Sequence, residues 1–306
     1  MTENIGEVRE FWDSHPCQSD LSDANDRRIY FDEIERKRYA HEPHIPVIAQ
    51  FENYHGKDVL EIGCGISTDG LQFARGGACY TGYDLTPAAI ATAKERFALY
   101  GAAGRFENVN CEHMPAPDES FDHIYSFGVI HHSPNTEAIV AEMYRVLRPG
   151  GTFCVMIYNR SSINYYVEIM FLRRLFRYML LPSFMPKLLS RITGFPEWKL
   201  QGHRDVMLSQ GALTKEQWIS INTDGPDCPL AKVYNRREAG ELFHAFQDVR
   251  MEAHFFDRTH WPVIGKRLPD GFCQWLGRRW GWHRVVYGTK PLTGAASIGR
   301  SSAGRS

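Results

Sequence analysis

The sequence predicts an α/β fold, in which an open and mostly parallel sheet carries helices on both faces. First, the apolar strand Val59–Ile62 runs directly into a Gly-x-Gly turn, Gly63 to Gly65. Second, strand-like and helix-like segments alternate after it, which is typical of parallel sheets. The expected strands are 58–62, 78–83, 105–109, 121–126 and 152–158, and the expected helices are 68–75, 86–99 and 134–147. Third, Pro149-Gly-Gly151 stands before the fifth strand as a turn.

The glycine turn indicates a nucleotide-type pocket. Glycine lets the backbone take positive φ and approach a ligand closely, as Gly63 and Gly65 would do here. Asp84 ends the second strand, where a carboxylate can accept both hydroxyls of a ribose. The same spacing suits a nicotinamide dinucleotide, but that pattern expects a third glycine where this chain has Thr68.

Three further motifs follow in order, and they carry a family resemblance. They are Asn110-Cys-Glu-His-Met-Pro-Ala-Pro-Asp-Glu-Ser-Phe-Asp122, then His-Ile-Tyr-Ser-Phe-Gly-Val-Ile-His-His132, then Glu142-Met-Tyr-Arg-Val-Leu-Arg-Pro-Gly-Gly151. With the glycine turn, residues 55 to 158 resemble a class I S-adenosylmethionine-dependent methyltransferase of the small-molecule "methyltransferase 11" type. The resemblance implies a Rossmann-like seven-stranded sheet, S-adenosylmethionine as cofactor, and methyl transfer as the reaction.

The resemblance also implies roles for residues of the first two strands. The turn Gly63-Cys64-Gly65 would approach the methionine part and ribose of the cofactor. Glu61 would hold the cofactor's ammonium, unless it only satisfies local backbone amides. Asp84 would accept the ribose hydroxyls with Leu85 beside the adenine. Alternatively, Asp84 and Thr86 only cap the helix that begins at Pro87.

The end of the third strand departs from the family pattern. Where the family usually has an aspartate that accepts from the adenine amino group, this chain has Asn110. An asparagine carbonyl can accept the same hydrogen bond without a charge, so we expect it to bind less tightly. Glu112 is the alternative acceptor, and the backbone amide of Cys111 is a candidate partner for an adenine ring nitrogen.

The segment after the fourth strand, Ser126 to His132, corresponds to the methyl-donor end of the family's pocket, and Phe127 is expected beside the cofactor. His131 or His132 is a candidate general base, since imidazole titrates near neutrality. The alternative is that one caps local backbone and the other packs below the cofactor. A metal site is not expected from this pair, because adjacent residues rarely face one ion and no third ligand is spaced nearby.

The chain divides into five predicted regions. They are an N-terminal helical lid (1–52), a cofactor-binding core (53–158), an inserted cap on the substrate side (159–232), the completion of the sheet (233–290) and a disordered tail (291–306). Within the cap, 165–181 has apolar residues at helical spacing with arginines among them, and it is too charged to span a bilayer. Two interpretations stay open: a basic amphipathic helix in peripheral contact with a membrane, or an ordinary cap helix packing on the core.

Composition narrows the functional class. Among 306 residues, 35 basic and 36 acidic residues balance, so no nucleic-acid partner is expected. The 7 cysteines are scattered without Cys-x-x-Cys spacing, which favours reduced thiols and a cytoplasmic location. We therefore expect methyl transfer to a small or amphipathic acceptor at O, N, C or S. The alternatives are a non-catalytic cofactor-binding subunit and a methyltransferase acting on a lipid-like substrate at a membrane surface.

Overall fold

A seven-stranded sheet with strand order β3-β2-β1-β4-β5-β7-β6 forms the centre of the protein. The structure is a computed structural model that describes residues 4–14, 21–210, 213–261 and 265–292. The strands are Asp58–Ile62 (β1), Cys79–Asp84 (β2), Arg105–Asn108 (β3), Phe121–Phe127 (β4), Leu147–Tyr158 (β5), Gln247–His254 (β6) and His283–Thr289 (β7). β1 to β5 pair in parallel, and β7 runs antiparallel to both β5 and β6. The predicted mostly parallel seven-stranded fold is confirmed.

Helices cover both faces of the sheet. The α-helices are Ile5–Ser14 (α1), Arg27–His41 (α2), Ile45–Ala49 (α3), Thr68–Arg75 (α4), Pro87–Tyr100 (α5), Thr136–Val146 (α6), Arg173–Phe176 (α7), Met185–Thr193 (α8), Glu197–Gln210 (α9), Lys215–Thr223 (α10), Arg236–Leu242 (α11) and Asp270–Trp280 (α12). A π-helix, Asn164–Leu172, precedes α7, and 3-10 turns lie at Phe51–Tyr54, Ile130–His132, Arg177–Leu180, Arg258–His260 and Gly265–Arg267.

Two apolar clusters form the core, one on each face of the sheet. On one face, α6 and α11 bury Ile139, Met143 and Ala239 against β1, β4 and β5. On the other, α3, α4 and α5 bury residues such as Phe73 and Phe97. Strands buried on both sides are expected to be mostly apolar, and β1 departs from this at Glu61, a buried carboxylate.

Some predicted boundaries were wrong. β5 begins at Leu147 rather than 152, because Leu147 pairs with Phe121 before the Pro-Gly-Gly segment interrupts the register with β4. Gly150 takes φ +78 there, so the glycines form an irregularity inside the strand rather than a turn before it. The sequence also predicts an aromatic-rich helix near 268–278, and α12 begins and ends two residues later. Residues 293–306, most of the predicted tail, lie outside the described part of the chain, as does Cys17.

The described cysteines are free thiols, namely Cys64, Cys79, Cys111, Cys154, Cys228 and Cys273. In the described part of the chain, no helix is both long and apolar enough to cross a membrane. The division of the chain into lid, core and cap stays a prediction.

Candidate functional site

A cavity opens at the carboxyl ends of β1, β2 and β4, beneath helix α1. The strand order reverses between β1 and β4, the position where open α/β sheets bind ligands. Most of the residues predicted from the sequence line this cavity: Glu61, Gly63, Cys64, Gly65, Asp84, Leu85, Asn110, Cys111, Phe127 and His132. His131 and Glu112 do not line it.

Two glycines shape the floor of the cavity, and they do so differently. Gly63 has φ +72, and a β-carbon added there would lie 2.3 Å from a methyl of Val129. Gly65 has φ +50, but an added β-carbon would meet nothing within 4 Å. Gly63 therefore allows close packing within the protein, whereas Gly65 leaves space on the cavity side.

Asp84 ties the glycine turn to helix α5. Its carboxylate accepts from the Gly65 amide at 2.8 Å and from both the amide and hydroxyl of Thr86 at 2.9 Å. Burial raises the pKa of Asp84, and the Thr86 and Gly65 amides oppose that rise. Thr86 holds the N-cap position but makes no capping hydrogen bond with its own side chain. A carboxylate has about four acceptor positions, so these bonds leave capacity for a ligand hydroxyl.

Glu61 is a buried carboxylate at the end of β1. The hydroxyl of Tyr80 donates to it, and its side chain faces the cavity. Burial, and then the neighbouring Asp69 carboxylate, raises the pKa of Glu61 well above its usual range. A cationic ligand at this point would stabilise the charged form of Glu61.

The sequence analysis missed an arginine in the cavity wall. Arg38, on α2, reaches the cavity and forms a buried ion pair with Asp69, whose carboxylate lies 2.6 Å from the guanidinium. The hydroxyls of Tyr39 and Tyr125 donate to the same carboxylate at 2.9 and 3.0 Å. No local motif marks Arg38, because its partner lies 31 residues away in the chain.

The segment after β3 divides between the cavity and the protein interior. Asn110 lines the cavity while its side-chain oxygen accepts from the Glu112 amide at 3.0 Å. The Glu112 carboxylate instead accepts from the Ser133 hydroxyl at 2.5 Å and the Asn135 amide at 3.1 Å. Glu112 thus joins the loop after β3 to the start of α6, and Asn110 is the one placed to contact a ligand.

The two adjacent histidines have different surroundings. His131 is completely buried, its ring lies 3.9 Å from that of Tyr158, and neither nitrogen has a hydrogen-bond partner among the described residues. Burial lowers its pKa well below 6.5. Since it is buried away from the cavity, His131 has no access to an acceptor. His132 lines the cavity, and its Nδ1 lies 2.7 Å from the carbonyl oxygen of Leu230.

The lid and the cap meet at His132. Trp12 of α1 lines the cavity, and its ring lies 5.0 Å from that of His132 at a steep angle. From the other side, the Asp224 carboxylate at the end of α10 lies 3.7 Å from His132 Nε2. The loop 223–229 therefore reaches the edge of the cavity instead of merely reconnecting the insert to the sheet.

Comparison with known proteins finds matches to a methyltransferase family model and to curated methyltransferases. A family model described as "Methyltransferase domain" matches residues 60–155. A sterol 4-C-methyltransferase of Caenorhabditis elegans, strm-1, is 36% identical over 117 residues, which cover 38% of this chain and 34% of the relative. A phthiotriol/phenolphthiotriol dimycocerosates methyltransferase of Mycobacterium tuberculosis is 40% identical over 100 residues, 32% of this chain and 36% of the relative.

Solved structures extend the likeness of fold beyond the core. The crystal structure of the [4+2]-cyclase SpnF aligns with a TM-score of 0.54 and 15% identity, covering 93% of this chain and 95% of that one. The alignments with the two curated relatives span only about a third of the relatives' length, 34% and 36%. The segment matched by the family model, 60–155, contains the glycine turn and the motifs that line the cavity.

Proposed function

We propose that the protein is a class I S-adenosylmethionine-dependent methyltransferase and that it transfers a methyl group from this cofactor to a small or amphipathic acceptor. The match of residues 60–155 to the methyltransferase family model supports this proposal. The cavity carries this proposal, since it lies where the strand order reverses and is lined by the motif residues. The open space beside Gly65 suits the cofactor. The buried carboxylate of Glu61 also suits it, because a cationic group would stabilise the charged form of that carboxylate.

Each part of the cofactor has a partner of matching chemistry in this proposal. Asp84 accepts from the ribose hydroxyls, and Glu61 pairs with the ammonium of the methionine part. Arg38 pairs with its carboxylate, since a guanidinium suits planar anions. Asn110 and the Cys111 amide bind the adenine edge, and Leu85 and Phe127 contact apolar surface.

The transfer itself is an in-line displacement. S-adenosylmethionine supplies a methyl group already activated on a sulfonium, so the protein has to bring the acceptor atom to within about 3 Å, in line with the leaving sulfur. Trp12 and Phe127 help exclude water from this end of the cavity. His132, and not the buried His131, is the histidine of the pair that we place in contact with the acceptor.

We further propose a lipid-like acceptor. The two relatives compared above are named for a sterol and for phthiotriol dimycocerosates. The cap carries large apolar side chains that are each more than half exposed: Tyr166, Phe171, Leu175, Tyr178, Phe184, Ile192, Trp198 and Leu208. In the segment 165–181, Tyr165 and Ile169 are buried, so one side packs inward while the other stays exposed.

This exposed surface suits peripheral membrane contact through 165–181. Arg174 and Arg177 lie beside the exposed apolar side chains, and basic residues attract anionic lipid headgroups. A cytoplasmic location stays a prediction from the sequence, which the free thiols support.

The test is methyl transfer from isotope-labelled S-adenosylmethionine to a panel of sterols, polyketide-like phenols and fatty acids, with and without anionic vesicles. We expect labelled product with at least one apolar acceptor, and less product with the Asp84→Asn variant at a cofactor concentration that does not saturate it. Cofactor binding without transfer to any acceptor would favour the non-catalytic subunit.

A further inference from the structure

Three metal-ligand side chains converge beside the cavity. A ring nitrogen of His132, a carboxylate oxygen of Asp224 and Cys228 Sγ all lie within 4.8 Å of one another. They come from the 3-10 turn after β4, from the end of α10 and from the loop that follows it. His132 and Cys228 are 4% and 3% exposed, so this cluster is not a solvated surface group.

The hydrogen bonds of His132 leave two acceptors facing each other. The Leu230 carbonyl can only accept, so the proton of a neutral imidazole lies on Nδ1, 2.7 Å away. Nε2 then presents a lone pair, and it faces Asp224 Oδ2 at 3.7 Å. Among the described residues neither atom has a hydrogen-bond partner. Buried acceptors that face each other need a hydrogen-bond donor or a cation between them.

Each ligand is also held by a second group. The Leu230 carbonyl orients the His132 ring and accepts from the Cys228 thiol at 3.6 Å. The Tyr158 hydroxyl donates to the other oxygen of Asp224 at 2.8 Å, which turns Oδ2 toward His132. Metal-binding histidines and carboxylates are usually oriented in this way by carbonyls and hydroxyls.

We propose that His132, Asp224 and Cys228 bind one divalent cation of the zinc class. Nitrogen, oxygen and sulfur ligands together suit zinc, and three protein ligands leave a fourth position for water or an acceptor oxygen. Binding removes the proton of the Cys228 thiol to solvent and replaces its hydrogen bond to Leu230 with a bond to the metal. Because His132 lines the cavity, the cation would lie beside the acceptor and link the cap to the core.

The test uses cobalt(II) as a spectroscopic substitute for zinc. The full chain is treated with a chelator, dialysed and titrated with Co²⁺ while the near-ultraviolet and visible spectra are recorded. We expect one Co²⁺ per chain, a thiolate-to-cobalt charge-transfer band, and loss of both signals when Zn²⁺ is added.

Variants then identify the ligands. Cys228→Ser should remove the charge-transfer band, and Asp224→Asn should weaken Co²⁺ binding by more than about tenfold. Cys79→Ser removes an exposed thiol that any loosely bound metal would find, and it should leave the band unchanged. Circular dichroism of each variant checks that the chain is folded.

Two results would overturn the proposal. One is a native chain that binds neither Co²⁺ nor Zn²⁺ stoichiometrically. The other is Co²⁺ binding without a thiolate band, as expected from the separate cluster of Glu42, His44 and His283. Both results are measured without cofactor. A chain that binds S-adenosylhomocysteine but no metal would therefore contradict the metal site and leave the methyltransferase proposal standing.

Discussion

The cavity and the cap beside it are built in different ways. The sheet wall of the cavity is made by strand ends and the glycine turn, and its polar side chains bond to neighbouring backbone or to buried partners, as Asp84 and Glu61 do. None of the described cap residues lines the cavity, and the cap reaches only its edge, where Asp224 lies 3.7 Å from His132. The cap also exposes large apolar side chains, whereas the strands behind the sheet wall are buried.

From this difference we infer that the sheet wall binds the cofactor and that the cap determines the acceptor. A wall fixed by local hydrogen bonds suits a ligand that is the same in every member of a family. An inserted cap can change with the acceptor, because loops and inserts vary without disturbing the sheet. Substitutions in the sheet wall should therefore affect folding and cofactor binding, and those on the exposed surface of the cap should leave both unchanged.

The largest expected effect is at the buried ion pair beneath the sheet wall. Asp69→Ala leaves the buried Arg38 guanidinium with only the more distant Glu42 carboxylate, 3.6 Å away, and we expect the free energy of unfolding to fall by about 3 kcal/mol. Urea denaturation measures this. The control is Glu95→Ala, which breaks a half-exposed pair with Arg27 and should cost about 1 kcal/mol or less. Equal losses in the two variants would contradict the role given to burial.

Substitutions of the two turn glycines should have different effects, mainly on stability at Gly63 and mainly on cofactor affinity at Gly65. Gly63→Ala forces a β-carbon against Val129 at positive φ, and should destabilise the protein by about 2 kcal/mol or more. Gly65→Ala meets no neighbour and should cost about 1 kcal/mol of backbone strain. Its β-carbon enters the cavity, so cofactor affinity should fall by at least about tenfold in calorimetry. A Gly65→Ala variant with native affinity would mean that the cofactor lies elsewhere.

Asp84 tests the ribose contact. Asp84→Asn should weaken S-adenosylhomocysteine binding by about ten- to a hundredfold, on the scale of one or two charge-assisted hydrogen bonds. Glu112→Gln should change the affinity much less, because the Glu112 carboxylate does not itself line the cavity and accepts from Ser133 and Asn135. Unchanged affinity in Asp84→Asn would mean that Asp84 only stabilises the glycine turn.

The smallest effect is expected on the cap surface. Phe184→Ser removes a ring that is 64% exposed, and should weaken binding to anionic vesicles by about fivefold while cofactor affinity stays the same. Val47→Ser is the matched control, since Val47 is 69% exposed but lies on α3, outside the cap. Vesicle co-sedimentation compares the two, and equal losses would exclude a membrane face confined to the cap.

The sequence predicted the sheet wall well because its signals are local. Gly63, Gly65 and Asp84 stand at fixed distances along one strand–turn–helix–strand unit, so their spacing alone brings them together. Arg38 could not be found this way, since only the folded chain brings it to Asp69. Likewise the choice between His131 and His132 depends on which ring faces the cavity, and adjacent residues in a 3-10 turn give no pattern for it.

The cap shows the same limit more clearly. Asp224 and Cys228 meet His132 across more than ninety residues of chain, and no motif spacing relates them. The amphipathic pattern of 165–181 indicated a helix, but only the fold shows which of its apolar side chains are buried.

The most direct test of the central claim is parallel calorimetric titration of the purified chain with S-adenosylmethionine, S-adenosylhomocysteine and NAD. We expect both sulfur nucleotides to bind at a single site with roughly micromolar affinity, about −8 kcal/mol, and NAD not to bind. Binding of NAD alone, or of none of the three, would contradict the assignment of the cavity to S-adenosylmethionine.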